Sequence, residues 1–410
     1  MDLQQGLMYG TVCDAGLDVL WAMGIGPVIA WVDDHLFICL LQNAIANYNK
    51  LCQTKAQAIA SQDSRIQDDG HWKFKGDALA DGSHEDFSKD CTHSVRNFIS
   101  NHLGDSWTTH AYDFEHINCI TDQLGIPWEP SKDTPFSSSP VFIGFMWDIE
   151  NKTVALTLAK HTKYIAAIHE WLRTTAHTLE QAQKLHGRLS YASLVIPVGS
   201  AYLTSLQSML GIFGNNPFMP RRQPHGTVDK LNWWLHALSS KPPIPIPHHP
   251  LTLDLQAFSN ASSSHGLVIV IGSKWRAWRL HQHWNHTGRD IRWAEGVTFE
   301  LLVHTLLTLD HSSMPLTVYC DNQGVIDGWK NGRSRNTPTN TAFRQVHALL
   351  ASPPCRVFMK YVPSADNPAD GPSQGKYPPA VLLLLQILIP EEISDHILDL
   401  NDPNCTPILL

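Results

Sequence analysis

Two groups of acidic residues in this chain have the types and spacing that suit divalent-cation chemistry. The first is the adjacent pair Asp33 and Asp34 in Trp31-Val32-Asp33-Asp34-His35-Leu36-Phe37, set inside an apolar run. Neighbouring carboxylates repel, so each gains from a shared cation. Mg²⁺ held by such oxygens bridges an attacking hydroxyl and a leaving phosphate. The second group is spread over Ser259-Asn260-Ala261-Ser262, Phe299-Glu300-Leu301, Cys320-Asp321-Asn322 and Asn367-Pro368-Ala369-Asp370. Three carboxylates and one amide from four separate segments form a cation-binding set only if a fold gathers them.

The elements that must do the gathering are legible as runs and periods. The apolar stretch 28–32 reads as a buried strand that ends at the two aspartates, and 36–41 as its return, which puts both carboxylates at a hairpin tip. Residues 60–110 are polar and poor in aliphatics, and read as an exposed insertion or weakly ordered loop. Strands are expected at 141–147 and 152–158. Apolar residues at helical spacing follow over 160–175 and 179–195, with a break at Pro197-Val198-Gly199 and a further helix at 201–212. The Pro-rich 241–250 stretch is an extended linker and the clearest boundary. Beyond it come strands at 251–258, 267–271 and 275–280, a helix near 294–309, a strand at 316–320, helices at 322–330 and 338–351, and a strand at 357–362. The expected class is α/β, with the second acidic group in a mixed α/β domain over 251–375 and a tail at 376–410.

Composition narrows the possibilities. The chain has 410 residues, 43% of them hydrophobic, enough for two or three cores. Its 8 cysteines form no CxxC pair and no Cys/His metal spacing, so they read as reduced thiols of an intracellular protein, cytoplasmic or nuclear. Asp2, Gln4 and Gln5 after Met1 do not make a secretory leader. The apolar run 380–389 is about half a membrane span and reads as a buried or tail helix, so no membrane partner is expected. The net charge of −8 divides unevenly. Residues 1–157 hold 9 Lys+Arg against 21 Asp+Glu, or −12, whereas 158–250 hold 9 against 3, or +6. Residues 251–375 hold 11 against 9, or +2, and 376–410 hold 1 against 5, or −4. The overall sign therefore hides a basic middle suited to phosphate contact.

The same residues carry a resemblance. Trp31-Val32-Asp33-Asp34 resembles the x-V-D-D signature of reverse transcriptases, and Leu124-Gly125-Ile126-Pro127-Trp128, Phe142-Ile143-Gly144-Phe145 and Trp147-Asp148 look like the palm segments that follow it. Lys184-Leu185-His186-Gly187 and the 195–203 stretch are similar to the thumb of retrotransposon enzymes, especially those of fungal genomes. Trp233-Trp234 sits where such proteins join thumb to ribonuclease H. The resemblance runs from about residue 10 to residue 375 apart from the polar insertion. It implies an α+β palm over 1–157, a helical thumb and connection over 158–240, and a ribonuclease H-like mixed-sheet domain over 251–375.

What the resemblance implies for chemistry is incomplete at both sites. The palm of this family needs a further aspartate on a strand well upstream and a fingers subdomain. Only 32 residues precede Asp33, and Asp14 and Asp18 fall on one helix face. The expectation is a truncated enzyme that does not polymerise DNA alone. Lys132 occupies the place of the family's lysine near the incoming pyrophosphate.

At the ribonuclease H-like site the resemblance assigns Glu300, Asp321 and Asp370 as catalytic carboxylates. Glu295 and Asp366 are the nearby competitors of Glu300 and Asp370. Asn260 stands where the family has its first aspartate, and its amide oxygen brings no charge. Gln374 stands where an arginine is usual. The implied metal set is Asp33 and Asp34 at one site, and Asn260, Glu300, Asp321 and Asp370 at the other. The implied cofactor is Mg²⁺, with Mn²⁺ as a substitute, bound more weakly than in the family. The implied partner is an RNA–DNA hybrid or other nucleic acid, with Lys132, Lys184, Arg188 and Asn322 as candidate contacts.

Two further groups have a plainer reading. Trp275, Trp278, Trp284 and Trp293, interleaved with Arg276, Arg279, Arg289 and Arg292, could stack on bases. Core aromatics with solvated arginines are the stronger expectation. His281, His283 and His286 lie on an expected loop with no acid or cysteine to complete a metal site. The function expected is a retrotransposon-derived reverse transcriptase/ribonuclease H fragment, silent as a polymerase and weak as a nuclease. The alternatives are a non-catalytic nucleic-acid-binding remnant and a decayed reading frame. Oligomeric state is left open.

Overall fold

The computed structural model describes residues 3–31, 34–61, 65–68, 71–78, 84–87, 93–98, 110–126, 128–214, 216–240, 243–246, 252–311, 314–351 and 355–400. They divide into two compact units, the first ending at Thr157 and the second beginning at Leu158. Helices and sheets alternate in both, which makes the class α/β.

The first unit contains α1 (Leu3–Met23), the strands β1 (Val28–Trp31) and β2 (Asp34–Phe37), and α2 (Gln42–Ser61). Then come β3 (Arg65–Asp68), β4 (His71–Ala78) and β5 (His84–Phe87), α3 (Phe114–Gln123), and β6 (Val141–Phe142), β7 (Phe145–Asp148) and β8 (Thr153–Leu156). Its interior is a small cluster of Leu20, Ile25, Val95, Ala111, Tyr112, Ile117 and Ile120. Polar ties supplement this modest core. The Tyr112 hydroxyl donates to the Ile38 carbonyl at 3.1 Å, and the Asn49 amide closes two hydrogen bonds with Val95 at 2.9 and 2.8 Å. Strands β3, β4 and β5 form an antiparallel sheet inside the stretch expected to be a loop. The period-two placing of Trp72 and Phe74 is the strand signal that the polar composition concealed.

The second unit opens with helices: α4 (Leu158–Leu172), α5 (Leu179–Ala192), α6 (Thr204–Leu210) and α7 (Thr227–Ser240), interrupted by the short strands β9 (Ala176–His177) and β10 (Arg221–Arg222). Thr178 and Gln181 form a reciprocal capping box that starts α5. A 3-10 turn at Pro197–Tyr202 follows where proline forbids a continuing helix. Gly199 in that turn lies close against Trp234, leaving no room for a Cβ beside the indole ring.

After the two-residue strand β11 (Ile244–Pro245) comes the mixed sheet: β12 (Leu253–Ser262), β13 (Gly266–Ile271), β14 (Lys274–Leu280), β15 (Leu316–Cys320), β16 (Val357–Tyr361) and β17 (Ile397–Asp399). The strand order is β16-β15-β12-β13-β14-β17. β12, β15 and β16 run parallel and β13 runs antiparallel to β12. The helices α8 (Ile291–Thr308), α9 (Gln323–Lys330) and α10 (Thr337–Leu349), with the single-turn α11 (Asp370–Ser373) and α12 (Glu391–Ser394), complete the unit. α8 is buried on nearly every side from Trp293 to Val303 and forms the spine of the core with Ala257, Ile269, Val318, Phe343 and Met359. The Asp290 side chain starts it by accepting from the Trp293 amide at 3.2 Å.

The segment beyond residue 375 is part of this architecture rather than a tail. β17 pairs with β14 through Trp278, Arg279 and Leu280. Between them Arg276 is buried, ion-paired to the buried Asp399 and donating to the Leu384 carbonyl at 2.6 Å. Arg276 is therefore not the solvated arginine expected. The run 380–389 is a 3-10 turn at Ala380–Leu382 followed by extended chain. Pro378, Pro379 and Pro390 bracket it, and Leu384 takes its backbone partner from Trp275 at 2.9 Å instead of from its own turn. No helix among the described residues is long and apolar enough to cross a membrane.

The helical part and the sheet part of this unit pack together. The Asn340 amide on α10 donates to the Ala201 carbonyl at 2.8 Å, and Arg344 lies 5.4 Å from the centre of the Tyr202 ring. Tyr202 in turn stacks on Trp233 at 3.8 Å.

Candidate metal centre at the end of the mixed sheet

β12 and β15 are adjacent and parallel, with Ser259 opposite Cys320. Asn260 and Asp321 thus stand at neighbouring carboxyl ends of parallel strands, the edge at which open α/β sheets bind ligands. Two further elements reach that edge. α8 passes behind it and presents Glu295, which is 3% exposed and whose Oε1 accepts the Ala261 amide at 3.1 Å. α11 begins in front of it with Asp370.

Two side-chain groups result. In the first, one ligand atom each from Glu295, Cys320 and Asp321 lies within 4.8 Å of the others. Burial, followed by the Asp321 charge, pushes the Glu295 carboxyl up to about 8, so it keeps its proton at neutral pH. The Cys320 thiol is raised too, by burial and then by Glu295. In the second, Asp370 accepts an N–H from Asn260 at 3.2 Å and N–H contacts from Gln374 at 3.1 and 2.9 Å. The buried Asn367 places this carboxylate: its amide donates to the Ser259 carbonyl at 3.1 Å and its oxygen accepts the Ala369 amide at 3.0 Å.

The expected site residues are distributed as follows. Asn260, Asp321 and Asp370 all lie at this end of the sheet. Glu300 does not. It sits five residues beyond Glu295 on α8, about 140° around the helix, and the charge that acts on it is that of Glu392 rather than Asp321. It is fully buried, neither carboxyl oxygen has a hydrogen-bond partner, and burial holds it up to about 8. The glutamate beside Asp321 is Glu295, the competitor named from sequence. Asp366 is exposed. Asn322 is occupied as the cap of α9, accepting from the Val325 amide at 3.3 Å.

Asp34 belongs to the first unit, exposed at the start of β2 and opposite Trp31. Asp33 lies outside the described residues. Lys132 is exposed in a 3-10 turn of the same unit. Lys184 is ion-paired to Glu180 at 2.6 Å on the exposed face of α5, and Arg188 lies one turn further on, half-buried. Sequence reasoning missed Cys320 as a member of the centre. Its one signal was adjacency to Asp321 on a strand whose alternate residues face α8.

No family model matches the chain, and no curated protein matches it. Among solved structures, the foamy viral protease-reverse transcriptase dRH in complex with double-stranded DNA is similar, at 15% identity and a TM-score of 0.28. The match covers 73% of this chain and 54% of that one, so the chain spans about half the length of this neighbour.

Proposed function

We propose that the chain is a retrotransposon-derived reverse transcriptase/ribonuclease H-like fragment that binds RNA–DNA hybrid without synthesising DNA and with little or no cleavage. The observation that carries the reading is the state of Asp370. A carboxylate serving a two-metal centre keeps its oxygens open to cations; here two side-chain amides, Asn260 and Gln374, donate to it instead. The donor set therefore fits a pair of Mg²⁺ ions poorly, and Mg²⁺ or Mn²⁺ would bind weakly. A hydrogen-bonded centre of this kind still leaves the strand-end surface, where a hybrid's backbone and 2′-hydroxyls can be recognised without base contacts. The basic helices over 158–240 supply phosphate contacts. The silence in synthesis is supported by the setting of Asp34, on a ribbon of two four-residue strands that, among the described residues, pair with each other and with no third strand.

The test is a labelled RNA–DNA hybrid incubated with the full chain in Mg²⁺ and in Mn²⁺, comparing wild type, Asn260→Asp and Asp321→Asn. Expected are salt-dependent binding by all three and cleavage in Asn260→Asp alone. Cleavage by wild type that Asp321→Asn abolishes would make the chain a working nuclease. Failure of any variant to bind hybrid would overturn the reading.

A further inference from the structure

We infer that Glu295, Cys320 and Asp321 form a site for one thiophilic divalent cation, Zn²⁺ in its natural setting and Cd²⁺ as its closest probe. The inference rests on the geometry of this centre and not on its binding nucleic acid.

Three observations support it. The donor set is mixed: one thiol and two carboxylates, with single ligand atoms within 4.8 Å of one another. Hard Mg²⁺ takes oxygen ligands and keeps its waters, whereas a thiolate selects Zn²⁺ and softer ions. The Cys320 sulfur is also held in place. Cys320 is 1% exposed at the end of a central strand, and the Asn322 amide donates to its sulfur at 3.4 Å. The third observation is a polar atom with nothing to bind. Glu295 Oε2 is buried without a hydrogen-bond partner, in a carboxyl group whose other oxygen is fixed by Ala261. A buried polar atom left unsatisfied costs roughly 1–3 kcal/mol, and a cation at this point would remove that cost.

Zn–S bonds near 2.3 Å and Zn–O bonds near 2.0 Å put ligand atoms roughly 3.3–3.8 Å apart in a tetrahedral site. Since the ligand atoms already lie within 4.8 Å of one another, the cluster would tighten by no more than about 1.5 Å on loading. Binding releases the Glu295 and Cys320 protons to solvent, and the ion is held by one thiolate and two carboxylates. Three protein ligands leave a fourth position for water.

The experiment uses the full chain, reduced and freed of metal. It is titrated with Cd²⁺ while the ultraviolet sulfur-to-Cd²⁺ charge-transfer band is recorded, and separately dialysed against Zn²⁺ in a large excess of Mg²⁺. Other cysteines also take Cd²⁺, so the readout is a difference between proteins. Wild type is expected to hold one equivalent more than Cys320→Ser, with a matching loss of the band, and Mg²⁺ is expected not to displace it. Glu295→Gln, which keeps the side-chain shape, is expected to weaken Zn²⁺ about 10- to 100-fold, the range commanded by single groups around a metal. Equal stoichiometry in wild type and Cys320→Ser, or displacement by Mg²⁺, overturns the site. If Cys320→Ser does not fold, an unchanged Zn²⁺ affinity in Glu295→Gln overturns it. Hybrid binding measured on the same samples separates this outcome from failure of the proposed function.

Discussion

Asp34 opens a strand and Asp321 directly follows one, in motifs that both place an aspartate against an apolar run, and the structure holds them in opposite ways. Among the described residues the strand of Asp34 has a single four-residue partner, and the aspartate is exposed at its start. The strand of Asp321 is flanked by β12 and β16, backed by the buried helix α8, and part of a six-stranded sheet. One carboxylate is placed by local chain geometry, the other by contacts separated by tens of residues. Only the second kind of placement fixes what a carboxylate meets. Asp321 therefore has Glu295 and Cys320 as defined neighbours, whereas Asp34 has a motif.

The most severe way to probe this difference is at the far edge of the sheet. Asp399→Ala strips the counter-charge from Arg276, which is 4% exposed. Breaking a buried pair by removing one partner costs about 3–5 kcal/mol. Urea unfolding of the second unit is expected to show its free energy lowered by that amount, read as a lower midpoint at constant slope. A loss below about 1 kcal/mol would mean that β17 is dispensable to the sheet.

A smaller effect concerns the two buried glutamates of α8. Each is raised from an ordinary 4.5 to about 8, so between those values the folded chain binds protons that the unfolded chain has released. Stability is then fully present below about pH 4.5 and falls as pH rises towards 8, by about 1.4 kcal/mol per pH unit for each group at most. Glu300→Gln is expected to halve this slope and the double variant with Glu295→Gln to remove it, measured by urea midpoints from pH 5 to 8. An unchanged slope in Glu300→Gln would mean that its carboxyl is hydrated in solution.

How far all this was legible follows from the range of the interactions. Strands β12 to β16 and their helices stand within a few residues of the positions read from apolar runs, because those runs are local. The choice between Glu295 and Glu300 was not local. α8 is buried on nearly every face, so its sequence shows no polar stripe to say which glutamate faces the sheet edge, and the Phe299-Glu300-Leu301 motif does not mark the glutamate that stands beside Asp321. The Arg276–Asp399 pair spans 123 residues, and no pattern around Asp399 announces it. Asn260 was legible as a missing charge, but its donation to Asp370 depends on α11 folding back onto β12.

That donation is itself open to test. Asn260→Ala removes one of the two amides on Asp370 and is expected to cost about 0.5–1.5 kcal/mol. Asp370→Asn in the Asn260→Ala background should then cost less than in wild type, since the amide has already gone. Strict additivity in this double-mutant cycle would show that the two side chains are not coupled.

The smallest effect belongs to the hairpin. Asp34 is exposed, and its partner across the strand pair is the exposed Trp31. Surface substitutions away from caps, pairs and cores change stability by within about 0.5 kcal/mol. Asp34→Ala is therefore expected to leave the urea midpoint of the first unit unmoved, and hybrid binding with it. The substitution is informative because the opposite result has one physical reading. A carboxylate that matters to folding must have a cation or a donor within reach, so a loss well above about 0.5 kcal/mol that appears only with Mg²⁺ present would reveal a working cation site at the hairpin tip. The contrast between the two acidic regions would then lie in how many elements carry each carboxylate, and no longer in whether each one binds.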